Sequence, residues 1–127
     1  MLRNLTCIML LFLGLEGFAD ENAAAELMRI WENEAREPFT PAAGEQLWFV
    51  DADGRSCTSC HTDDPKVVGR HAKTGKPIEP LAPSTNPERL TDVKKIKKWL
   101  YRNCKWTFGR ECTAQEKGDV LTWLLLQ

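Results

Sequence analysis

Cys57-Thr58-Ser59-Cys60-His61 gathers two thiols and an imidazole within five residues. Two cysteines at this spacing can add to the two vinyl groups of a porphyrin. The adjacent His61 is then held beneath the ring, where an imidazole nitrogen binds the iron as proximal ligand. The same C-x-x-C spacing serves thiol–disulfide exchange, but that motif opens a helix in a βαβ setting, and no β pattern surrounds this one. Half of a zinc site is the third possibility. Zinc needs more ligands than the motif offers, yet there is no second C-x-x-C and only one further histidine, His71. One covalently attached haem c is the chemistry these residue types favour.

The other axial position on the iron then decides function. A small electron-carrying cytochrome c places a methionine thioether there. Here Met1 and Met9 lie in the apolar leader, Met28 precedes the motif within a helical pattern, and no methionine follows His61. The remaining candidates are His71, Asn103, a lysine, Tyr101 or an open position. His71 has suitable chemistry, because imidazole binds both oxidation states, but it lies in the hydrophilic stretch VGRHAKTGK. Asn103 has the better placement. Val93, Ile96 and Leu100 recur at helical spacing, and Asn103 is the next position on that face. An uncharged amide at the buried end of an apolar stripe is costly unless something satisfies it. Capping a helix C-terminus is one way, and ligating a metal is another.

The elements that must position these groups read as helices. A first helix is expected over Glu21 to Glu37, with Leu27, Ile30 and Trp31 on one face, ending before Pro38. A short second helix, Ala42 to Phe49, has Leu47, Trp48 and Phe49 to bury. The Asp-Gly within DADGRS is turn chemistry immediately before the cysteines. From Thr62 to Leu90 the chain is rich in Pro, Gly, Lys and Asp without a sustained period, so it reads as a long functional loop. Lys66 to Pro87 would wrap the haem, with Leu81 and its flanking prolines against one face. Trp48, Trp99, Trp106 and Trp123 are large enough to pack around it. A third helix starts near Thr91–Asp92 and runs to about Asn103. A fourth opens with the capping box Thr113-x-x-Glu116 and continues through Val120, Leu121, Trp123 and Leu124. The class is all-α with a large irregular loop.

The N-terminus predicts export. One arginine is followed by an apolar run, with Gly17 and Ala19 in the small-residue positions before Asp20. This pattern is a secretory signal peptide over residues 1–19, cleaved after Ala19, with an uncleaved anchor as the alternative. The run is too short for a comfortable membrane span. Removing 19 of the 127 residues leaves 108, enough for one domain over residues 20–127. Cys7 departs with the leader, so Cys57, Cys60, Cys104 and Cys112 remain in a disulfide-permissive compartment, the periplasm. Charge is unevenly placed: Asp20 to Asp64 carries eleven acids and three bases, whereas Pro65 to Gln127 carries six acids and thirteen bases. Such a dipole can orient the molecule on a charged protein, and the helix bearing Lys94, Lys95, Lys97, Lys98 and Arg102 is where an acidic partner is expected to dock. No base-reading or stacking pattern accompanies these lysines, so nucleic acid is not an expected partner.

SCTSCH, TGKPIEPLAPSTNPERLTD, KWLYRNC and GRECTAQEKGDVLTWLL together closely resemble the sphaeroides haem protein (SHP) family of oxygen-binding cytochromes c. The likeness covers most of the chain from Ala42 onward and is most diagnostic in the Arg-Asn-Cys…Gly-Arg-Glu-Cys-Thr segment. It implies a class I cytochrome c-like helical domain around one covalent haem. It also implies His61 as proximal ligand, Asn103 as labile distal ligand, and a Cys104–Cys112 disulfide. An amide oxygen is a hard, weak donor suited to ferric iron and is expected to let go when reduction softens the metal. The iron would then be free for O2, NO or CO. The resemblance further implies a dihaem cytochrome c and membrane cytochrome b components as redox partners. The expected function is electron acceptance with diatomic-ligand binding rather than turnover catalysis. The rivals are a six-coordinate outer-sphere electron carrier and a small haem reductase or oxidase.

Overall fold

The longest element shows how the sequence places the site. In the computed structural model, which describes residues 22–127, α4 runs from Val93 to Phe108. Asp92 caps its start by accepting the Lys95 N–H at 2.9 Å, and Gly109 ends it in a left-handed conformation at φ 70°, which glycine adopts without a Cβ penalty. The expected end at Asn103 is therefore more than a turn too early. Asn103 is not a C-cap but an interior helical residue. The buried face runs from Ile96 through Cys104 to Thr107, with Val93 and Leu100 packed beside it.

The other helices are α1 (Ala23–Glu32), α2 (Pro41–Phe49), the single-turn α3 (Thr58–His61) and α5 (Ala114–Leu124). The only strands among the described residues, β1 (Gly69–Arg70) and β2 (Pro77–Ile78), pair antiparallel inside the segment read as an irregular loop. The fold is mostly helical, and no described helix is long and apolar enough to cross a membrane. The leader expected over residues 1–19 lies outside the described residues.

α5 is the central element. Its capping box is complete, with the Thr113 hydroxyl accepting the Glu116 N–H at 3.2 Å and Glu116 Oε2 accepting the Thr113 N–H at 2.8 Å. On one flank Ala114 and Leu121 pack with Ala24, Leu27 and Trp31 of α1 and Ile96 of α4. On the other, Val120, Trp123 and Leu124 pack with Trp48 of α2. Leu100 and Leu90 touch the second cluster as well, so the two clusters share a border.

α1 is shorter than its periodicity predicts, ending at Glu32 rather than Glu37. The backbone N–H groups that would extend it are used elsewhere: those of Arg36 and Glu37 both donate to Gln115 Oε1 at 3.0 Å. Asp119, buried in α5, draws in the next segment by accepting the Thr40 N–H at 2.8 Å. Two apolar residues expected inside are outside, Ile30 at 43% exposure and Phe49 at 48%. In each helix a neighbouring tryptophan occupies the core direction instead.

Candidate functional site

α3 is too short to hold itself, and its order comes from what surrounds it. A two-residue turn precedes it, with Asp53 and Gly54 both at positive φ and Asp51 Oδ1 accepting the Gly54 N–H at 2.7 Å. The Ser56 hydroxyl shares a 2.6 Å hydrogen bond with Thr58, and its N–H donates to the Ser59 hydroxyl at 3.0 Å. After the turn, the Cys57 carbonyl accepts the N–H groups of Cys60 and His61 at 3.3 and 3.1 Å. The far end is pinned by Trp48, whose indole N–H donates to the Thr62 carbonyl at 3.1 Å.

The β1–β2 hairpin braces α3 from outside. A Cβ at Gly69 would collide with the Cys60 carbonyl, so only glycine allows this approach. From the tip of the hairpin the Ala72 N–H points at Cys60 Sγ, 3.3 Å away. His71 sits on this hairpin, exposed, with its Nδ1 accepting the N–H groups of Lys73 and Thr74 at 3.2 and 3.1 Å.

A cleft of about 580 Å³, counting its open mouth, lies between α3 and α4. α3 and its N-cap give it Cys57, Cys60 and His61; α4 gives it Leu100, Asn103, Cys104, Trp106, Thr107 and Phe108. Leu47 and Trp48 of α2, Leu81, Cys112, and Val120 and Leu124 of α5 complete an apolar lining. Of the distal candidates considered from sequence, Asn103 lines the cleft. His71, Tyr101 and Met28 do not, nor does any lysine. Met28 instead packs against the first core cluster, its sulfur 3.5 Å from the Thr122 hydroxyl oxygen. The Asn103 carboxamide makes no hydrogen bond to any described residue.

The electrostatics of the α3 groups follow from their burial. His61 is pushed down from its ordinary 6.5 to about 4, first by desolvation and then by the positive charge of Arg89. Its imidazole is therefore neutral near pH 7 and offers a lone pair. The Cys57 thiol is pushed up to about 11, chiefly by burial, so it stays protonated, and Cys57 and Cys60 are both free. The His61 shift has a consequence for the haem-free chain. Below pH 6.5 the unfolded chain takes up a proton that folded His61 refuses, so stability falls as pH drops toward 4 and levels off beneath it. Urea midpoints of the apoprotein across that range check the slope; a flat profile rejects it.

Several placements differ from those read in sequence. Of the long segment expected to wrap the haem, only Leu81 lines the cleft. Its own N–H and that of Ala82 are held by the Pro65 carbonyl at 2.9 and 3.1 Å. Trp48 and Trp106 line the cleft, and Trp123 backs Trp48 with ring centroids 5.1 Å apart. Trp99 is outside at 46% exposure, with Lys98 and Arg102 over its ring. Arg89 escaped the sequence reading altogether. It donates to the carbonyls of Pro80 and Glu79 at 2.9 and 2.8 Å, fixing the turn that carries Leu81. No periodicity marks it. Thr107 was missed because the helix was ended too soon; one more turn from Asn103 would have found it.

The residues fit a covalent haem. Two free thiols and a neutral imidazole enter one apolar cleft, and an unsatisfied carboxamide enters it from another helix. Among the described residues no three His, Cys, Asp or Glu side chains gather to hold a metal ion by themselves.

Comparison with known proteins bears on the same residues. A domain of unknown function, DUF1924, matches residues 34–124. The cytochrome c-type protein SHP of Cereibacter sphaeroides is 40% identical over 114 residues, spanning 86% of this chain and 88% of the relative. The structure of oxidised SHP, described as an oxygen-binding cytochrome c, superposes with a TM-score of 0.78 over 84% of this chain and 99% of that one, at 40% identity. Oxidised cytochrome c″ of Methylophilus methylotrophus gives a TM-score of 0.71 at 31% identity, over 83% of this chain and 94% of that one.

Proposed function

Because the chain belongs to the SHP family of c-type cytochromes, and carries covalent haem c as they do, we propose that it accepts electrons and binds diatomic ligands such as O2 or NO, with Asn103 as a labile distal ligand. The observation that carries this reading is the Asn103 carboxamide: it enters an apolar cleft shared with His61 and has no hydrogen-bond partner among the described residues.

Each side chain has a role in this reading. Cys57 and Cys60 would hold the haem covalently, each thiol adding across a vinyl group so that the sulfur gains a carbon and the S–H hydrogen passes to the neighbouring carbon. His61, neutral near pH 7, would supply an imidazole nitrogen to the iron as the proximal ligand. Trp48 lies beside that imidazole, ring centroids 5.7 Å apart, and limits its motion and its access to water. Bound there, the haem supplies an iron that cycles between ferric and ferrous and takes small ligands. Asn103 would offer its amide oxygen to ferric iron and hold ferrous iron poorly, because it is a hard, weak donor and the reduced metal is softer. Leu100, Val120 and Leu124 would help keep the cleft dry. The optical and EPR spectra of the ferric protein, and the ferrous spectrum before and after CO, test this. A reduced protein that stays low-spin and ignores CO is a plain electron carrier instead.

The same reading places the protein in the periplasm, with residues 1–19 removed as its leader. Its electrons come from an acidic redox protein such as a dihaem cytochrome c or a membrane cytochrome b component. The exposed cations of α4 support that docking site, since Lys94, Lys95, Lys97, Lys98 and Arg102 all face solvent. Reversing two of them, Lys94→Glu with Lys98→Glu, is expected to slow reduction by an acidic donor about tenfold at low salt and much less at high salt. Equal rates in stopped-flow mixing reject the docking face.

A further inference from the structure

Two polar or charged side chains are buried in the described fold, Asp119 and Thr107. Asp119 is fully accounted for: it accepts the Thr40 N–H at 2.8 Å and the Gln115 amide at 3.3 and 3.2 Å. Thr107, at 2% exposure, is not. A helical threonine usually satisfies its hydroxyl on the carbonyl one turn back, as Thr122 does by donating to the Gly118 carbonyl at 2.7 Å. The equivalent acceptor for Thr107 is the Asn103 carbonyl, and that bond is not made; nor does the hydroxyl bond to any other described residue. No buried side-chain oxygen or nitrogen among the described residues is sealed off without a partner. The Thr107 hydroxyl therefore opens on the cleft it lines.

Its position in that cleft is specific. Asn103 and Thr107 are four residues apart in α4 and so lie on one face, a turn apart. Ser56, the other hydroxyl in the lining, is occupied by Thr58 and Ser59. On the α4 side the remaining lining is apolar or sulfur apart from the indole N–H of Trp106, a residue 39% exposed. We propose that the Thr107 hydroxyl donates a hydrogen bond to a diatomic ligand in the cleft and so sets the preference between O2 and CO. This rests on the ligand-binding reading of the site. O2 held at ferrous iron draws electron density onto itself and accepts a hydrogen bond well, whereas CO gains far less. A valine would fill the same volume without a donor.

The test uses the ferrous holoprotein as wild type, Thr107→Val and Thr107→Ser. Dissociation constants for O2 and CO are measured, together with the CO stretching frequency in the infrared and the denaturant midpoint. Thr107→Val is expected to weaken O2 binding about 3- to 10-fold, leave CO within about twofold, and shift the CO stretch. Thr107→Ser is expected to retain the wild-type O2/CO ratio. Because the hydroxyl has no protein partner to lose, the midpoint of Thr107→Val holds or rises. A wild type that binds both gases, with an unchanged ratio in Thr107→Val, overturns this proposal alone. A wild type that binds neither overturns the ligand-binding reading, and this proposal with it.

Discussion

Replacing Asn103 with alanine is expected to raise the affinity of the ferric protein for added imidazole or cyanide about 10- to 100-fold. An internal ligand that occupies the ferric site for about 90–99% of the time leaves only the remainder open to an outside ligand, and the apparent affinity falls by that fraction. Removing the carboxamide removes the competition. If the amide is labile as proposed, it is already off the iron in the ferrous protein, and CO affinity is expected to stay within about threefold of wild type. That asymmetry between oxidation states is the signature of a labile ligand, and general loosening of the fold would not produce it. α4 itself should tolerate the change, because the Asn103 side chain makes no hydrogen bond to the described residues and alanine is the better helix former. The ferric optical and EPR spectra are the direct check. If alanine leaves them as they were, Asn103 is not on the iron.

How early Asn103 could be read depends on what its neighbours reveal. Val93, Ile96 and Leu100 mark one face of a helix by spacing alone, and extending that face by one step reaches the amide. The C-x-x-C-H motif and the Thr113–Glu116 box are equally legible, since both are local patterns whose partners lie within a turn. The end of α4 was not. Past Asn103 come Cys104, Lys105 and Trp106, which carry no strong helix signal, and the stop is set by Gly109 together with the pull of α5. α1 failed in the opposite sense. Its periodicity continues to Glu37, but Gln115, some eighty residues away, captures the backbone there. No window of local sequence contains that competition.

The long segment from Thr62 to Leu90 was legible as functional and opaque as structure. It was expected to wrap the haem; instead it folds back on itself. The hairpin leans on Cys60 through Gly69, and Arg89 and Asn86 tie its distal part together through the Pro80 carbonyl. One side chain, Leu81, reaches the cleft. In the described fold the segment holds α3 in shape and lends the cleft Leu81. Its polar composition follows from that, since most of its surface stays in water. Trp99 and Trp106 carry the same lesson. They are the same residue type, seven positions apart and so on nearly the same side of α4, and only the completed packing shows that one meets cations in solvent while the other lines the cleft.

Removing the Cys104–Cys112 bridge, as Cys104→Ala with Cys112→Ala, is expected to cost about 2–3 kcal/mol of folding stability by the loop-closure model. The bridge spans eight positions, with the two Cα atoms 5.6 Å apart, and both cysteines are buried in the cleft wall. A staple alone would lower the denaturant midpoint and do nothing else. This one joins α4 at the residue immediately after Asn103 to the approach of α5, crossing the turn at Gly109. The Arg110–Glu116 pair, with its 2.7 and 2.8 Å hydrogen bonds, lies wholly on the α5 side of Gly109 and does not replace the bridge, and exposed pairs of this kind hold little in any case. Without the bridge the last turns of α4 should sample more positions, and the amide should leave ferric iron more readily. We therefore expect imidazole to enter the ferric protein about 3- to 10-fold faster in the double variant, a coupling of ordinary size. Stopped-flow association rates and the denaturant midpoint separate the two contributions. If stability falls while the association rate stays put, the bridge secures the fold and leaves the distal ligand to the helix alone.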